Sequence, residues 1–137
     1  MDIAQEVAEW TAANWRDDLT LAEWWQRLAD AGYAFPTWPA GLGGQAASQG
    51  EARQITAALA AASVIGAPLG NGPGMGGPTV LAHGTPEQQQ RFVAPMARGQ
   101  EAWAQLFSEP GAGSDLASLA TSAVRDGDEF VIYGQKV

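Results

Sequence analysis

The sequence predicts an α+β chain in which helices come first and strands follow. Three observations carry this. Apolar residues recur at helical spacing as far as residue 100, three of the helical runs open on a capping box, and the period shortens after Gln100. The division predicted from this is a helical domain over 1–101 and the beginning of a β domain over 102–137.

Element by element, Ile3, Val7 and Trp10 hold one face of a first helix. In "TLAEWWQRLADAG", Thr20 and Glu23 have capping-box spacing and Gly32 stands where a helix stops. Leu21, Trp24, Trp25, Leu28 and Ala29 form its buried stripe. Five of the six tryptophans precede residue 39, which reads as core packing between helices. "YAFPTWPAGLGGQ" is a loop punctuated by proline and glycine. Ser48 and Glu51 open a third helix through Ile55, Leu59 and Ala62. "GAPLGNGPGMGGP" reads as a loop that enters a short helix ending at "LAHG", where His83 is placed to cap terminal carbonyls. Thr85, Pro86 and Gln88 begin another helix, which Pro95 is expected to interrupt. Beyond it, "EAWAQLFSE" and "LASLATSAV" read as strands, and an Asp126-Gly127 turn joins two β-prone runs in "RDGDEFVIYG". The final strand stops at "GQKV" with no turn, so the chain is expected to be part of a larger protein.

Composition narrows the function. Hydrophobic residues make up 46% of the 137, enough for an ordered core, and the 17 glycines and 8 prolines stay below low-complexity levels. A net charge of -8 with seven Lys and Arg disfavours a nucleic-acid surface or an anionic membrane patch. No apolar run nears the roughly 20 residues of a membrane span, and the acidic N-terminus does not resemble an export signal. The lack of cysteine excludes disulfides and thiolate metal sites, and fits a cytoplasmic, reducing setting. One histidine cannot make a His-rich metal site or a Ser-His-Asp triad. No metal ligand set and no catalytic residue is therefore nominated.

The loop "SEPGAGSD" concentrates the remaining chemistry. Gly111 and Gly113 allow left-handed backbone and close approach by a ligand, consecutive amides favour anions, and Ser108 and Ser114 add hydroxyls. On spacing alone the loop also reads as a tight connection with Asp115 bonded to its own backbone.

The run "WAQLFSEPGAGSDLASLATSAVRDGDEFVIYGQKV" resembles the central motif of the acyl-CoA dehydrogenase family, and "LADAGYAFPTWPAGLGGQ" and "GPTVLAHGTPEQQQRFVAPMARG" agree with it. The resemblance spans nearly the whole chain. It implies the family's N-terminal all-α helical domain followed by the first strands of a β-barrel-like middle domain. It also implies FAD as cofactor, lying along Gln105, Leu106, Phe107, Ser108, Gly113 and Ser114. Ser108 takes the position facing the pyrimidine edge of the flavin. Phe107 and Gly113 supply backbone contact and clearance, and Ser114 lies near the pyrophosphate and the CoA moiety of the substrate. Glu109, beside Pro110, is expected to be structural.

The implied reaction is α,β-dehydrogenation of an acyl-CoA thioester. An electron-transfer flavoprotein is the implied acceptor, and the implied assembly is a homodimer or homotetramer. In this family the base comes from a C-terminal helical domain outside these 137 residues, so this segment alone is expected to be inactive. The small residues Gly74, Gly76 and Gly77 read either as a flexible loop or as space left for a bulky or branched acyl group. Relatives with other chemistry (an acyl-CoA oxidase, a nitroalkane oxidase or a flavin monooxygenase) stay open as alternatives, as does a non-catalytic helical docking module.

Overall fold

The computed structural model describes residues 2–137, which divide into two compact units, one running to Trp103 and the other Ala104–Val137. The first is helical and the second carries a two-stranded antiparallel sheet. No helix among the described residues is long and apolar enough to cross a membrane.

Helix α1 spans Ile3–Asn14, α2 Leu21–Asp30 and α3 Gln49–Ala61. The local code written in the sequence operates as drawn. Thr20 N–H donates to Glu23 at 2.9 Å while Glu23 N–H returns to the Thr20 hydroxyl at 3.3 Å. Ser48 and Glu51 repeat the exchange at 2.8 and 3.3 Å. Helix α2 ends in a Schellman motif: Tyr33 N–H reaches Leu28 C=O at 2.8 Å, Gly32 N–H reaches Ala29 C=O at 3.1 Å, and Gly32 has φ 78°.

The helical core is built around Trp24, Leu28, Ile55, Met96, Val7 and Val93, all fully buried. Trp24 lies between Trp10 and Trp15, with ring centroids at 5.6 and 4.9 Å, and its indole N–H donates to Ile65 C=O at 2.6 Å. Trp25 anchors the next carbonyl, that of Gly66, at 2.8 Å. Trp24 and Trp25 are thus packing elements that each satisfy their one donor. Helix α1 packs on α3, and α2 packs on the last helix of the unit.

The loop after α2 is folded back on itself. Phe35 N–H meets Gly43 C=O and Ala46 N–H meets Trp38 C=O, while the Phe35 and Trp38 rings stack at 4.2 Å. Gly44 sits at the knot: a Cβ there would lie 2.2 Å from the Trp38 carbonyl oxygen and 2.4 Å from that of Phe35.

Two expectations fail in the second half of this unit, and proline is the common cause. The segment read as a loop up to Pro78 contains a π turn over Gly72–Gly76, which runs directly into α4, Gly77–His83. Helix α5, Pro86–Gln88, opens on the Thr85–Gln88 box, but Pro95 does not end the helical run. A π turn over Gln89–Val93 leads into α6, Ala94–Ala97. A proline ring in a regular helix would strike the carbonyl four residues back. A wider turn just before Pro78 and Pro95 moves that carbonyl aside and absorbs the missing N–H. The run stops at a second Schellman motif instead, with Gln100 N–H on Pro95 C=O, Gly99 N–H on Met96 C=O and Gly99 at φ 66°.

In the second unit, β1 spans Ser122–Asp126 and β2 Glu129–Tyr133, with Val124 opposite Val131. Their two-residue loop is Gly127-Asp128, one residue later than the sequence reading, with Gly127 at φ 63°. The strand expected over "EAWAQLFSE" does not form. Extended chain becomes a strand only where a neighbour takes its hydrogen bonds, and no ladder partner lies alongside it among the described residues. Of "LASLATSAV", only the last three residues join β1. Leu116–Ser118 instead makes a 3₁₀ turn, held by Ser118 N–H and Oγ both donating to Asp115 C=O.

Candidate functional site

The segment from Gln105 to Ser114 is built around one carboxylate. Glu109 and Ala112 exchange backbone hydrogen bonds at 2.9 and 3.0 Å, closing a turn over Pro110-Gly111. The Glu109 side chain points back into the unit, where it is only 8% exposed. Its Oε2 accepts from Ala120 N–H at 2.8 Å, and its Oε1 accepts from Thr121 N–H at 3.0 Å and Lys136 Nζ at 2.9 Å. One acid therefore ties together three stretches distant in sequence.

The electrostatics follow. The Thr121 hydroxyl, the Ala120 amide and the Lys136 ammonium, in that order, hold the Glu109 carboxyl at about 2. Thr121 Oγ1 is buried beside the carboxylate without a well-angled hydrogen bond of its own, so its effect on the charge is one of proximity. With its oxygens taken by donors and its proton lost in the ordinary pH range, Glu109 is unsuited to donate a proton. The structural role expected of it is the one it has. The folded value lies below the ordinary 4.5, so the clasp contributes its full stability above that pH and loses it as pH falls towards 2. Carboxyl ¹³C titration is expected to give Glu109 a midpoint near 2; a midpoint in the ordinary glutamate range would mean that the clasp does not form.

Lys136 Nζ also donates to Phe107 C=O at 3.0 Å, and Val137 N–H donates to Ser108 C=O at 3.1 Å. Two successive carbonyls are thus occupied from the chain's final residues. The amides are a different matter. Among the described residues, none of the N–H groups of Gln105, Leu106, Phe107, Ser108, Gly113 and Ser114 donates to another protein group. Gln105, Leu106, Phe107, Gly113 and Ser114 are exposed and Ser108 is half-buried. The arrangement leaves these amides without a protein partner while the Phe107 and Ser108 carbonyls are occupied, which suits a ligand edge rich in carbonyl or phosphate oxygens.

The glycines act differently from the expectation. Neither Gly111 nor Gly113 takes a positive φ. Their contribution is clearance, since a Cβ at either would find no atom within 4 Å. Neither a flexible loop nor acyl space describes Gly76 and Gly77. A Cβ at Gly76 would sit 2.8 Å from the Trp103 ring, and one at Gly77 would sit 2.5 Å from the Trp38 ring. These glycines leave room for tryptophans of this chain, and only Gly74 faces open space. Nor does His83 cap its helix. It is exposed in the last turn, and the Leu81 and Gly84 carbonyls are both met by Gln89 Nε2 at 3.3 Å.

Sequence reasoning missed Lys136 and Thr121. The signal available for Lys136 was weak: a lone cation in "GQKV", far along the chain from the single acid it neutralises.

Comparison with known proteins agrees with this architecture. Residues 2–100 match the family model described as "Acyl-CoA dehydrogenase, N-terminal domain". Acyl-CoA dehydrogenase FadE34 of Mycobacterium tuberculosis is 53% identical over 110 residues, covering 80% of this chain and 15% of that protein. Acyl-CoA dehydrogenase IpdE1 of the same organism is 46% identical over 114 residues, covering 83% of this chain and 30% of that protein. The solved structure of the Tcur3481-Tcur3483 steroid ACAD superposes with a TM-score of 0.63 at 30% identity, covering 100% of this chain and 41% of that one. The chain therefore spans less than half the length of each of these relatives. With a helical unit of this kind leading into the start of a middle β domain, the chain belongs to the acyl-CoA dehydrogenase family.

Proposed function

We propose that the protein to which this chain contributes catalyses FAD-dependent α,β-dehydrogenation of an acyl-CoA thioester, and that residues 105–114 form its flavin-contacting segment. The observation that carries the reading is the array of free amides from Gln105 to Ser108, together with the clearance at Gly113. FAD fits such an array: its pyrimidine edge is rich in acceptors, and its diphosphate is an anion that suits exposed amides and the Ser114 hydroxyl. Bound there, the cofactor supplies a two-electron acceptor.

The residues of this chain hold and polarise. Phe107 and Ser108 present amides, and Ser108 a hydroxyl, toward the edge where negative charge gathers on reduction. Gly113 lets the backbone approach closely, and Ser114 donates to the diphosphate and the CoA portion of the substrate. Glu109 takes no part in proton transfer because its charge is already committed. An electron-transfer flavoprotein is the proposed acceptor. A homodimer or homotetramer is the proposed assembly and the cytoplasm the proposed location. The likeness to a steroid ACAD makes a steroid-bearing thioester worth testing beside a straight-chain one.

The intact protein, mixed with an acyl-CoA and an electron-accepting dye, is expected to bleach its flavin and reduce the dye. Peroxide formation without dye reduction would instead identify an oxidase, and a colourless, inert protein would refute the reading.

A further inference from the structure

The clasp behind the amide array is more than a turn-closing device. Lys136 Nζ touches Phe107 C=O at 3.0 Å and Glu109 Oε1 at 2.9 Å, so one ammonium holds both the segment and its anchor. Lys136 is 25% exposed on its side chain and Glu109 8%, which lets the pair act with less screening than a surface ion pair. Val137 N–H fixes the neighbouring Ser108 carbonyl at 3.1 Å. A peptide plane whose carbonyl is pinned has its attached N–H pinned too, because the amide is rigid. The N–H of Ser108 shares its plane with Phe107 C=O. The direction of the Ser108 amide is therefore set by the Lys136 ammonium.

We propose that Lys136 is a positioning residue for the redox site: by holding the Phe107 carbonyl against the Glu109 carboxylate, it aims the Ser108 amide at the bound flavin and so tunes its affinity and reduction potential. The inference rests on the flavin reading above. It assigns Lys136 no contact with flavin or substrate. Without the ammonium, Phe107 C=O loses a charged donor and Glu109 keeps only its backbone donors, so the plane is free to rotate.

The test compares wild-type intact protein with Lys136→Met and Lys136→Arg. Lys136→Met is expected to bind FAD about tenfold more weakly, as loss of a charged hydrogen bond would give. It should also show a displaced visible flavin band and an altered midpoint potential. Lys136→Arg keeps the charge and should stay within about threefold of wild type, its wider fork fitting imperfectly. Far-UV circular dichroism checks folding, and if Lys136→Met fails it, Lys136→Leu, which likewise has neither donor nor charge, carries the same comparison. A folded Met or Leu variant with wild-type FAD affinity, band position and potential overturns the proposal while leaving the flavin reading intact. Wild-type protein that neither contains nor takes up FAD refutes both.

Discussion

Trp24→Ala is expected to destabilise the helical unit by about 3–5 kcal/mol, the range for removing a large aromatic side chain from a close-packed core. Trp24 is 0% exposed, so almost no relaxation into solvent is available to its neighbours. Its ring bridges Trp10 on α1 and Trp15 beyond it, so truncation opens a void against two other large aromatics. The loss also strips the Ile65 carbonyl of its 2.6 Å donor, at the point where the chain leaves α3. For a unit of this size such a loss corresponds to a fall in melting temperature of roughly 15–30 °C. Leu21→Ala on the same helix is the control. Leu21 is 46% exposed, and its truncation should cost under about 1 kcal/mol. Thermal unfolding followed by far-UV circular dichroism measures both, and equal effects would mean that Trp24 is not the centre of the core.

Gly113→Val is expected to do the opposite: to leave folding unchanged and abolish flavin retention. Gly113 is not held at positive φ, and a side chain built there meets no atom of this chain within 4 Å, so the fold has no reason to resist it. The melting temperature should match wild type within the ±0.5 kcal/mol typical of exposed substitutions, roughly 2–4 °C here. The branched side chain, however, fills the space through which a ligand must approach the backbone. Flavin should be lost on gel filtration of the intact protein, as expected when a bulky group occupies a close backbone–ligand contact. A variant as yellow as wild type would show that the backbone at Gly113 is not part of the site.

Much of the fold was legible because its signals are short-range. The Thr20–Glu23, Ser48–Glu51 and Thr85–Gln88 exchanges each span three residues, and the left-handed Gly32 closes its helix through bonds no longer than five. The apolar stripe of α2 was legible in part for the same reason: Trp24, Leu28 and Ala29 are buried on one face and Trp25 is half-buried, but Leu21, expected in the stripe, lies in the first turn and is exposed. Where prediction failed, the deciding partner lay elsewhere. Pro95 looks like a helix breaker until a π turn is allowed before it. Gly76 and Gly77 look like an open pocket until Trp103 and Trp38 are brought against them. The span "EAWAQLFSE" has strand composition, but a ladder needs a second strand that composition cannot supply.

The candidate site divides in the same way. Its residue types, the hydroxyls, the small residues and the acid beside a proline, stand in ten consecutive positions and were readable there. What those residues do was not readable. Glu109 acquires its role from Ala120, Thr121 and Lys136, 11 to 27 positions away, and the Phe107 and Ser108 carbonyls are occupied by the last two residues of the chain. By itself the sequence determined the three capped helix starts, the Gly32 stop and most of the apolar face of α2, because each depends on bonds or spacing within a turn or two. Only the tertiary structure decided which glycines are filled, where proline is tolerated and which amides stay free, because each of these depends on what the chain brings back from a distance.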